Sequence, residues 1–290
     1  MTEWNVLLPK SMPELLHLVQ QPNHKLIAGG TDMLPRLRRN PGADAPTLID
    51  LSRLVALRFI HQDGQTIEIG ALTTHHELAS SEILLTCAPA LAEAAARIGS
   101  EQTRARGTLG GNIANASPAA DMLPPLLCLN AQVMLTSLEG SRALSLQEFL
   151  VGPGKTQQRP DEMISSVHFS LPNPPFGFKF DKLGRRNGMA IAVVSACALL
   201  ELDASGLIQT ARLSMGSVAP TALRCPTAEA ALVGQLPCKE VFQSAATALQ
   251  ADIAPISDLR ASAEYRRHAA GVLLERVLQQ AALQAKEEQA

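Results

Sequence analysis

Aromatic residues are scarce in this chain, which has one Trp and one Tyr among 290 residues. Proteins that hold single-stranded nucleic acid need several aromatic side chains on which bases can stack. Positive charge is not in excess either, since 25 Lys and Arg face 27 Asp and Glu, and the arginines form only short clusters. These two deficits exclude a nucleic-acid-binding function.

Cysteines are also few, and none forms the C-x-x-C pair typical of zinc and iron–sulfur sites. We therefore expect any metal to belong to another chain. The N-terminus lacks the basic start and unbroken apolar stretch of a signal peptide, and the longest apolar run, Met189 to Leu200, is too short to span a bilayer. These features predict a cytoplasmic protein with reduced thiols and no membrane span.

Hydrophobic residues make up 46% of the chain and charged residues 18%, which suits a globular protein of two or more domains. Glycine and proline cluster before a predicted linker at Pro172 to Gly177. We expect a first domain at 1–175, with lobes at about 1–56 and 57–175, and a second at 176–290. Beyond the linker, strands followed by helices indicate an α+β domain, in which the run from Met189 to Leu200 forms a buried strand.

The segment "AGGTD", residues 28–32, follows a short apolar strand and precedes a predicted helix. Glycine reaches positive φ and lets neighbouring N–H groups point together at an anion, so the segment could bind phosphate. The alternative is an ordinary strand-to-helix turn. The Asp32 carboxylate would repel a phosphate and is expected to cap the helix.

A second segment, "TLGGNIANASPAAD", covers residues 108–121. It offers groups suited to a dinucleotide: adjacent N–H groups, hydroxyls and amides, from Gly110, Gly111, Thr108, Ser117, Asn112 and Asn115. A buried, close-packed turn that caps a helix after Pro118 explains it equally well. Neither segment has the G-x-G-x-x-G order of the Rossmann fold, so a nucleotide would require a different fold.

Two other motifs give weaker indications of a binding site. "GPGKT", Gly152 to Thr156, ends like a phosphate-binding Walker motif, but Phe149 stands where that motif needs glycine. "HHE", 75–77, lacks the spacing of a zinc protease helix and is predicted to be a surface turn.

In "FKFDKLGRRNGMA", Lys182, Arg185 and Arg186 are either surface cations or cations near an electron-rich ligand.

Four segments, "AGGTDMLP", "TLGGNIANASPAAD", "FDKLGRRNGMAIAVVSACA" and "DLRASAEYRRHAAGVLLERVL", occur in this order along nearly the whole chain. Together they resemble the FAD-binding medium subunit of the molybdenum hydroxylases, the family of xanthine dehydrogenase, aerobic carbon monoxide dehydrogenase and 4-hydroxybenzoyl-CoA reductase. The cysteine-rich insert of some 4-hydroxybenzoyl-CoA reductase relatives is missing. The resemblance implies an α+β protein: a vanillyl-alcohol-oxidase-type FAD-binding fold of two α/β lobes, followed by an α+β C-terminal domain.

The resemblance also implies which residues bind FAD. The loops 28–32 and 108–112 would hold the pyrophosphate from two sides, Asp121 would accept a hydroxyl proton, and Lys182 would lie near the flavin. The predicted cofactor-binding residues are Ala28, Gly29, Gly30, Thr31, Asp32, Thr108, Gly110, Gly111, Asn112, Ser117, Asp121, Ile164 and Lys182. No catalytic or metal-binding residue is predicted.

The function implied is an electron-transfer subunit of a xanthine dehydrogenase-like oxidoreductase. A large subunit with a molybdopterin cofactor would hydroxylate the substrate, and a small subunit with two [2Fe–2S] clusters would pass electrons to FAD, which would reduce NAD or another external acceptor. The complex would be a heterotrimer or a dimer of heterotrimers. Two alternatives stay open: a self-sufficient FAD-dependent oxidoreductase of the same fold superfamily, and an assembly subunit without flavin.

Overall fold

A computed structural model describes residues 4–39, 45–186 and 188–289. The strands are β1 (Val6–Leu7), β2 (His24–Ile27), β3 (Thr47–Asp50), β4 (Ile60–Asp63), β5 (Thr66–Gly70), β6 (Gln132–Ser137), β7 (Gly140–Ser145), β8 (Leu150–Gly152), β9 (Lys155–Thr156), β10 (Met163–Ser170), β11 (Phe176–Gly184), β12 (Ala192–Leu202), β13 (Ile208–Gly216) and β14 (Leu223–Arg224). The helices are α1 (Met12–Leu18), α2 (Met33–Arg39), α3 (His75–Ser80), α4 (Glu82–Cys87), α5 (Pro89–Ala96), α6 (Glu101–Arg106), α7 (Leu109–Asn115), α8 (Leu123–Cys128), α9 (Leu146–Phe149), α10 (Pro226–Ala230), α11 (Lys239–Ala248) and α12 (Ala263–Gln289).

The first lobe contains a three-stranded parallel sheet in the order β1-β3-β2. Parallel strands need crossover connections, and α1 and α2 supply them. Ser11 caps α1, since its hydroxyl accepts the Glu14 N–H at 3.4 Å. The Glu14 carboxylate accepts the Lys10 N–H. The loop between β2 and α2 carries the AGGTD segment and therefore lies at the carboxyl edge of the sheet, where α/β proteins commonly bind ligands.

The middle lobe contains a five-stranded antiparallel sheet in the order β4-β5-β10-β6-β7. Residues alternate along the start of β5, since Ile67 and Ile69 are both buried in the core and Thr66 is exposed. The helix predicted after Pro118 begins only at Leu123, and a separate helix, α7, occupies 109–115. A bulge in β10 between Ile164 and Ser166 changes the direction of the side chains there.

Strands β8 and β9 pair with each other, and the last four strands form a sheet in the order β11-β12-β13-β14. Every residue of β12 is buried. Cys197 and Leu199 pack with the middle lobe, whereas Ala198 and Leu200 pack with α11 and α12. Burial on both faces explains the near-continuous apolar run, which would not alternate as a half-exposed strand does.

In the parts of the chain that the structure describes, no helix is both long and apolar enough to cross a membrane. No group of three or more His, Cys, Asp or Glu side chains is arranged to hold a metal ion in those same ranges.

Candidate cofactor-binding site

A cavity of about 520 Å³ lies between the first lobe and the middle lobe. Its walls include the loop after β2, the start of α2 and most of 107–115. The tertiary structure thus brings the two glycine segments to one cavity. Most of the predicted cofactor-binding residues line it, namely Ala28, Gly29, Gly30, Thr31, Asp32, Thr108, Gly110, Gly111, Asn112 and Ile164.

The loop 28–32 presents unused backbone donors. Gly30 has φ +69°, a conformation that other residues rarely adopt. Within the described residues, no acceptor receives the backbone N–H groups of Gly29, Gly30, Thr31 or Asp32. These groups line the cavity and can donate to an anion held there.

Asp32 does not act as predicted. No first-turn N–H of α2 donates to its carboxylate within the described ranges; the carboxylate instead accepts from the Arg36 guanidinium at 3.2 Å. The same guanidinium nitrogen donates to Asn115 Oδ1 at 3.0 Å. Arg36 therefore connects α2 with α7 across the cavity and partly neutralises the charge of Asp32.

The two glycine segments approach each other closely at Gly29. A Cβ atom on Gly29 would lie 1.8 Å from the carbonyl oxygen of Arg106, two residues before Thr108. Only a residue without a side chain allows this contact. Gly29 thus sets the separation of the loop 28–32 from the segment that begins α7.

The second glycine segment works differently from the prediction, because it forms the first turn of α7. Thr108 caps the helix by accepting the Gly111 N–H at 3.2 Å. The Gly110 N–H donates to the Ala71 carbonyl at 2.8 Å. The expectation that Gly110 and Gly111 offer free N–H groups is therefore wrong. Their contribution is a wall without side chains, and Asn112 adds a buried Oδ1 atom for which the described residues supply no donor.

Lys182 and Asp121 form a buried ion pair, with Lys182 Nζ 2.5 Å from Asp121 Oδ2. Their side chains are only 7% and 9% exposed. The ammonium also donates to the carbonyls of Arg97 at 2.8 Å and Ala190 at 3.3 Å. The three N–H bonds of Lys182 are therefore all used inside the protein.

The second oxygen of Asp121, Oδ1, is buried and has no hydrogen-bond partner among the described residues. Burial raises the pKa of Asp121 above its usual value, and the charges of Lys182 and Arg97 oppose that shift. A ligand hydroxyl or N–H that reached Oδ1 would satisfy this acceptor and favour the ionised carboxylate. The pair does not line the cavity itself; it adjoins Ile98, which does and which follows Arg97 in the chain.

The other predicted residues occupy different surroundings. Ser117 lies outside the cavity, and its hydroxyl accepts the Ala119 N–H in the turn that leads to Asp121. Arg185 and Arg186 are exposed and donate to the carbonyls of Leu259 and Met189. Of the three cations singled out in this stretch, only Lys182 points into the protein.

The expectation that residues 75–77 form a surface turn is wrong for His75. It is 3% exposed, begins α3 and lines the cavity, and its backbone N–H donates to the Gly107 carbonyl at 2.9 Å. Burial, together with the nearby charge of Arg104, lowers the pKa of His75 to about 4, so the ring is neutral at pH 7. Sequence reasoning missed it because adjacent histidines suggest polarity, while the capping box of Thr74 and Glu77 beside it indicated a helix start.

Further cavity residues carried no recognisable signal in the sequence. They are mostly apolar or small and come from distant segments: Ala71, Leu72, Ile98, Thr103, Gly107, Gly154 and Met163. Periodicity assigns such residues to a core or a turn. Their common role depends on the packing of the first lobe against the middle lobe.

The chemistry of the cavity fits FAD. The free N–H groups of loop 28–32 suit a pyrophosphate, and the side-chain-free wall of α7 allows it to approach the backbone. The unpartnered acceptor Asn112 Oδ1 suits a ligand hydroxyl or N–H donor, and Ile98 and Ile164 supply apolar contact. Such a set of groups suits a dinucleotide cofactor, the class to which FAD belongs.

Comparison with known proteins places the chain more closely. The family described as "FAD binding domain in molybdopterin dehydrogenase" matches residues 2–174, and "CO dehydrogenase flavoprotein C-terminal domain" matches 179–281. The chain therefore belongs to the FAD-binding medium subunits of the molybdenum hydroxylases. The predicted fold class, an α+β protein with an FAD-binding domain followed by an α+β C-terminal domain, is confirmed.

The chain is 34% identical to the carbon monoxide dehydrogenase medium chain of Hydrogenophaga pseudoflava, over 93% of this chain and 94% of that one. It is 36% identical to the 6-hydroxypseudooxynicotine dehydrogenase complex subunit alpha of Paenarthrobacter nicotinovorans, over 89% and 86%. A solved carbon monoxide dehydrogenase from Hydrogenophaga pseudoflava, which lacks the Mo-pyranopterin moiety of its molybdenum cofactor, superposes with a TM-score of 0.93 at 33% identity, over 98% of this chain and 99% of that one. The chain is thus an oxidoreductase subunit.

Proposed function

We propose that this chain is the electron-transfer subunit of a molybdenum hydroxylase. It would bind FAD between its two N-terminal lobes, receive electrons from two [2Fe–2S] clusters of a small partner subunit, and pass them to an external acceptor such as NAD. The observation that carries the proposal is the meeting of the two glycine segments at one cavity, with free backbone donors on one side and the glycines of α7 on the other. Bound FAD would supply the redox chemistry, because flavins exchange electrons singly or in pairs.

The first lobe would hold the pyrophosphate. The backbone N–H groups from Gly29 to Asp32 would donate to its oxygens, and the Arg36 guanidinium would add positive charge at the mouth of the cavity. Gly111, which is exposed to the cavity, would allow the closest approach from α7. Ile164, turned by the bulge in β10, would pack against an apolar part of the cofactor.

Asp121 and Lys182 would act on the flavin end in different ways. Asp121 would accept a hydrogen bond through Oδ1, the oxygen that Lys182 leaves free. Lys182 would not donate to the ring, because its N–H bonds are used; its charge would instead stabilise negative charge on the reduced cofactor. The charge of Lys182 also opposes the rise in the pKa of Asp121 that burial causes, which favours the carboxylate as an acceptor.

The substrate would be hydroxylated on a partner subunit and not on this chain. The two relatives are similarly identical to this chain, yet their names specify different substrates, carbon monoxide and 6-hydroxypseudooxynicotine. We therefore assign substrate hydroxylation to a large molybdopterin-binding partner, which would be xanthine dehydrogenase-like in its chemistry. We also propose that the complex is cytoplasmic. We further propose that the FAD-binding domain comprises 1–175 and the C-terminal domain 176–290.

The test is to express the chain with and without its partner subunits and to record absorption spectra, the mass of the released cofactor and the metal content of each chain. FAD in this chain, with molybdenum and iron in copurifying chains and electron transfer to NAD, would support the proposal. Turnover of an alcohol or phenol by the isolated chain would favour a self-sufficient oxidoreductase instead. A correctly assembled complex without flavin would refute FAD binding and leave an assembly role.

A further inference from the structure

Arg97, at the C-terminal end of α5, makes contacts that link the candidate FAD site to the C-terminal sheet. One guanidinium nitrogen lies 2.5 Å from Asp181 Oδ1, and the other donates to the carbonyl of Lys182 at 2.9 Å. The guanidinium also lies 5.9 Å from the ring centre of Phe180, within the range of a cation–π interaction. Arg97 thus binds three consecutive residues of β11.

The contact between Arg97 and Lys182 is reciprocal. The Arg97 side chain binds the Lys182 carbonyl, and the Lys182 side chain donates to the Arg97 carbonyl at 2.8 Å. Asp181 strengthens the arrangement, since its Oδ1 atom also accepts the Lys182 N–H at 2.8 Å. The position of the Lys182 backbone and the direction of its side chain therefore both depend on one residue of α5.

The ammonium that Arg97 directs is the one that binds Asp121 Oδ2 and leaves Asp121 Oδ1 free. Long lysine side chains have many rotamers, so an ammonium with a fixed position requires such support. Ile98, the next residue after Arg97, lines the cavity. A shift of Arg97 would therefore move both the cavity wall and the ion pair.

We propose that Arg97 is a positioning residue of the FAD site, which holds the Lys182 ammonium against Asp121 and so presents Asp121 Oδ1 to the cofactor. The inference rests on the proposed function because the ligand that meets Asp121 is taken to be FAD. Arg97 itself would act through Lys182 and need not touch the cofactor.

The chain offers a matched control one helical turn earlier. Glu93 of α5 lies 2.9 Å from Lys179 of β11, so this ion pair joins the same helix to the same strand. It makes no contact with Lys182 or Asp121. Glu93→Gln therefore shows how far FAD affinity decreases when the contact between α5 and β11 is weakened. Arg97→Gln shows that decrease together with any decrease caused by the loss of Lys182 positioning.

The experiment compares the full-length wild type, Arg97→Gln and Glu93→Gln. FAD affinity is measured by flavin fluorescence, unfolding by thermal denaturation, and the Lys182–Asp121 contact by crystal structures of the FAD-free proteins. We expect Arg97→Gln to weaken FAD binding about tenfold more than Glu93→Gln, because charged hydrogen bonds are lost from a largely buried site. We also expect Lys182 Nζ to leave Asp121 in its crystal structure.

Equal FAD affinity in the two variants, or an unchanged Lys182–Asp121 contact in Arg97→Gln, would overturn the proposal. The structural readout needs no cofactor, so a wild type that binds no FAD would refute the proposed function without deciding the role of Arg97. If Arg97→Gln fails to fold, Asp181→Asn replaces it, because this change removes the carboxylate partner and leaves the arginine. It should weaken FAD binding in the same direction, and an affinity equal to that of Glu93→Gln would again count against Arg97.

Discussion

Gly29→Ala tests directly whether the separation of the two glycine segments controls cofactor binding. The added Cβ would lie 1.8 Å from the Arg106 carbonyl oxygen, whereas ordinary contact begins at 3.4 Å, so the two backbones must separate by about 1.6 Å. Overpacking of this kind costs about 1–3 kcal/mol. If that cost falls on the bound state, FAD affinity should decrease by roughly ten- to a hundredfold.

The control is Gly152→Ala, because a Cβ atom added to Gly152 would have no heavy atom within 4 Å and the backbone there does not need a positive φ. Both purified variants would be titrated with FAD by fluorescence and unfolded thermally. We expect Gly152→Ala to bind FAD like the wild type. If Gly29→Ala bound FAD as tightly as Gly152→Ala, the close approach at Arg106 would not control the cavity, and the reasoning would be refuted.

Three further predictions concern single residues. Gly111→Val should abolish FAD retention, because its side chain would enter the cavity and crowd the Thr108 hydroxyl, 3.0 Å from a Cβ; wild-type FAD content would show that this wall does not face the cofactor. Lys182→Ala should lower the flavin reduction potential by some tens of millivolts, on the order expected for removing a buried cation, and an unchanged potential in spectroelectrochemical titration would remove its electrostatic role. His75→Gln should reduce the loss of stability in acid. The pKa of His75 is about 4 in the folded protein and 6.5 in the unfolded chain. The wild-type free energy of unfolding therefore decreases as pH falls from 6.5 to 4, by up to about 3 kcal/mol. Denaturant unfolding at several pH values measures this, and parallel pH profiles for variant and wild type would contradict it.

Several elements were predictable because their signals are local. Ser11 caps α1, and Ile67 and Ile69 alternate in β5. The long apolar run forms β12 only from Ala192 onward, since Met189 and Ile191 are exposed before the strand begins. The helix at the start of the second glycine segment was harder to predict from the sequence. Its Gly-Gly pair disfavours a helix, yet α7 forms because Thr108 caps it and Ala71 accepts the Gly110 N–H. Tertiary hydrogen bonds here outweighed local propensity.

The sequence by itself indicated the family, through four segments in a fixed order, and named the glycine segments and Lys182 as candidates for cofactor binding. The tertiary structure decided how these residues are arranged. Packing of the lobes left the N–H groups of loop 28–32 free while those of Gly110 and Gly111 were used. It also turned Lys182 toward Asp121 and buried His75 in the cavity wall. Hydrogen-bond partners and burial depend on residues far apart in the chain, so no local pattern could specify them.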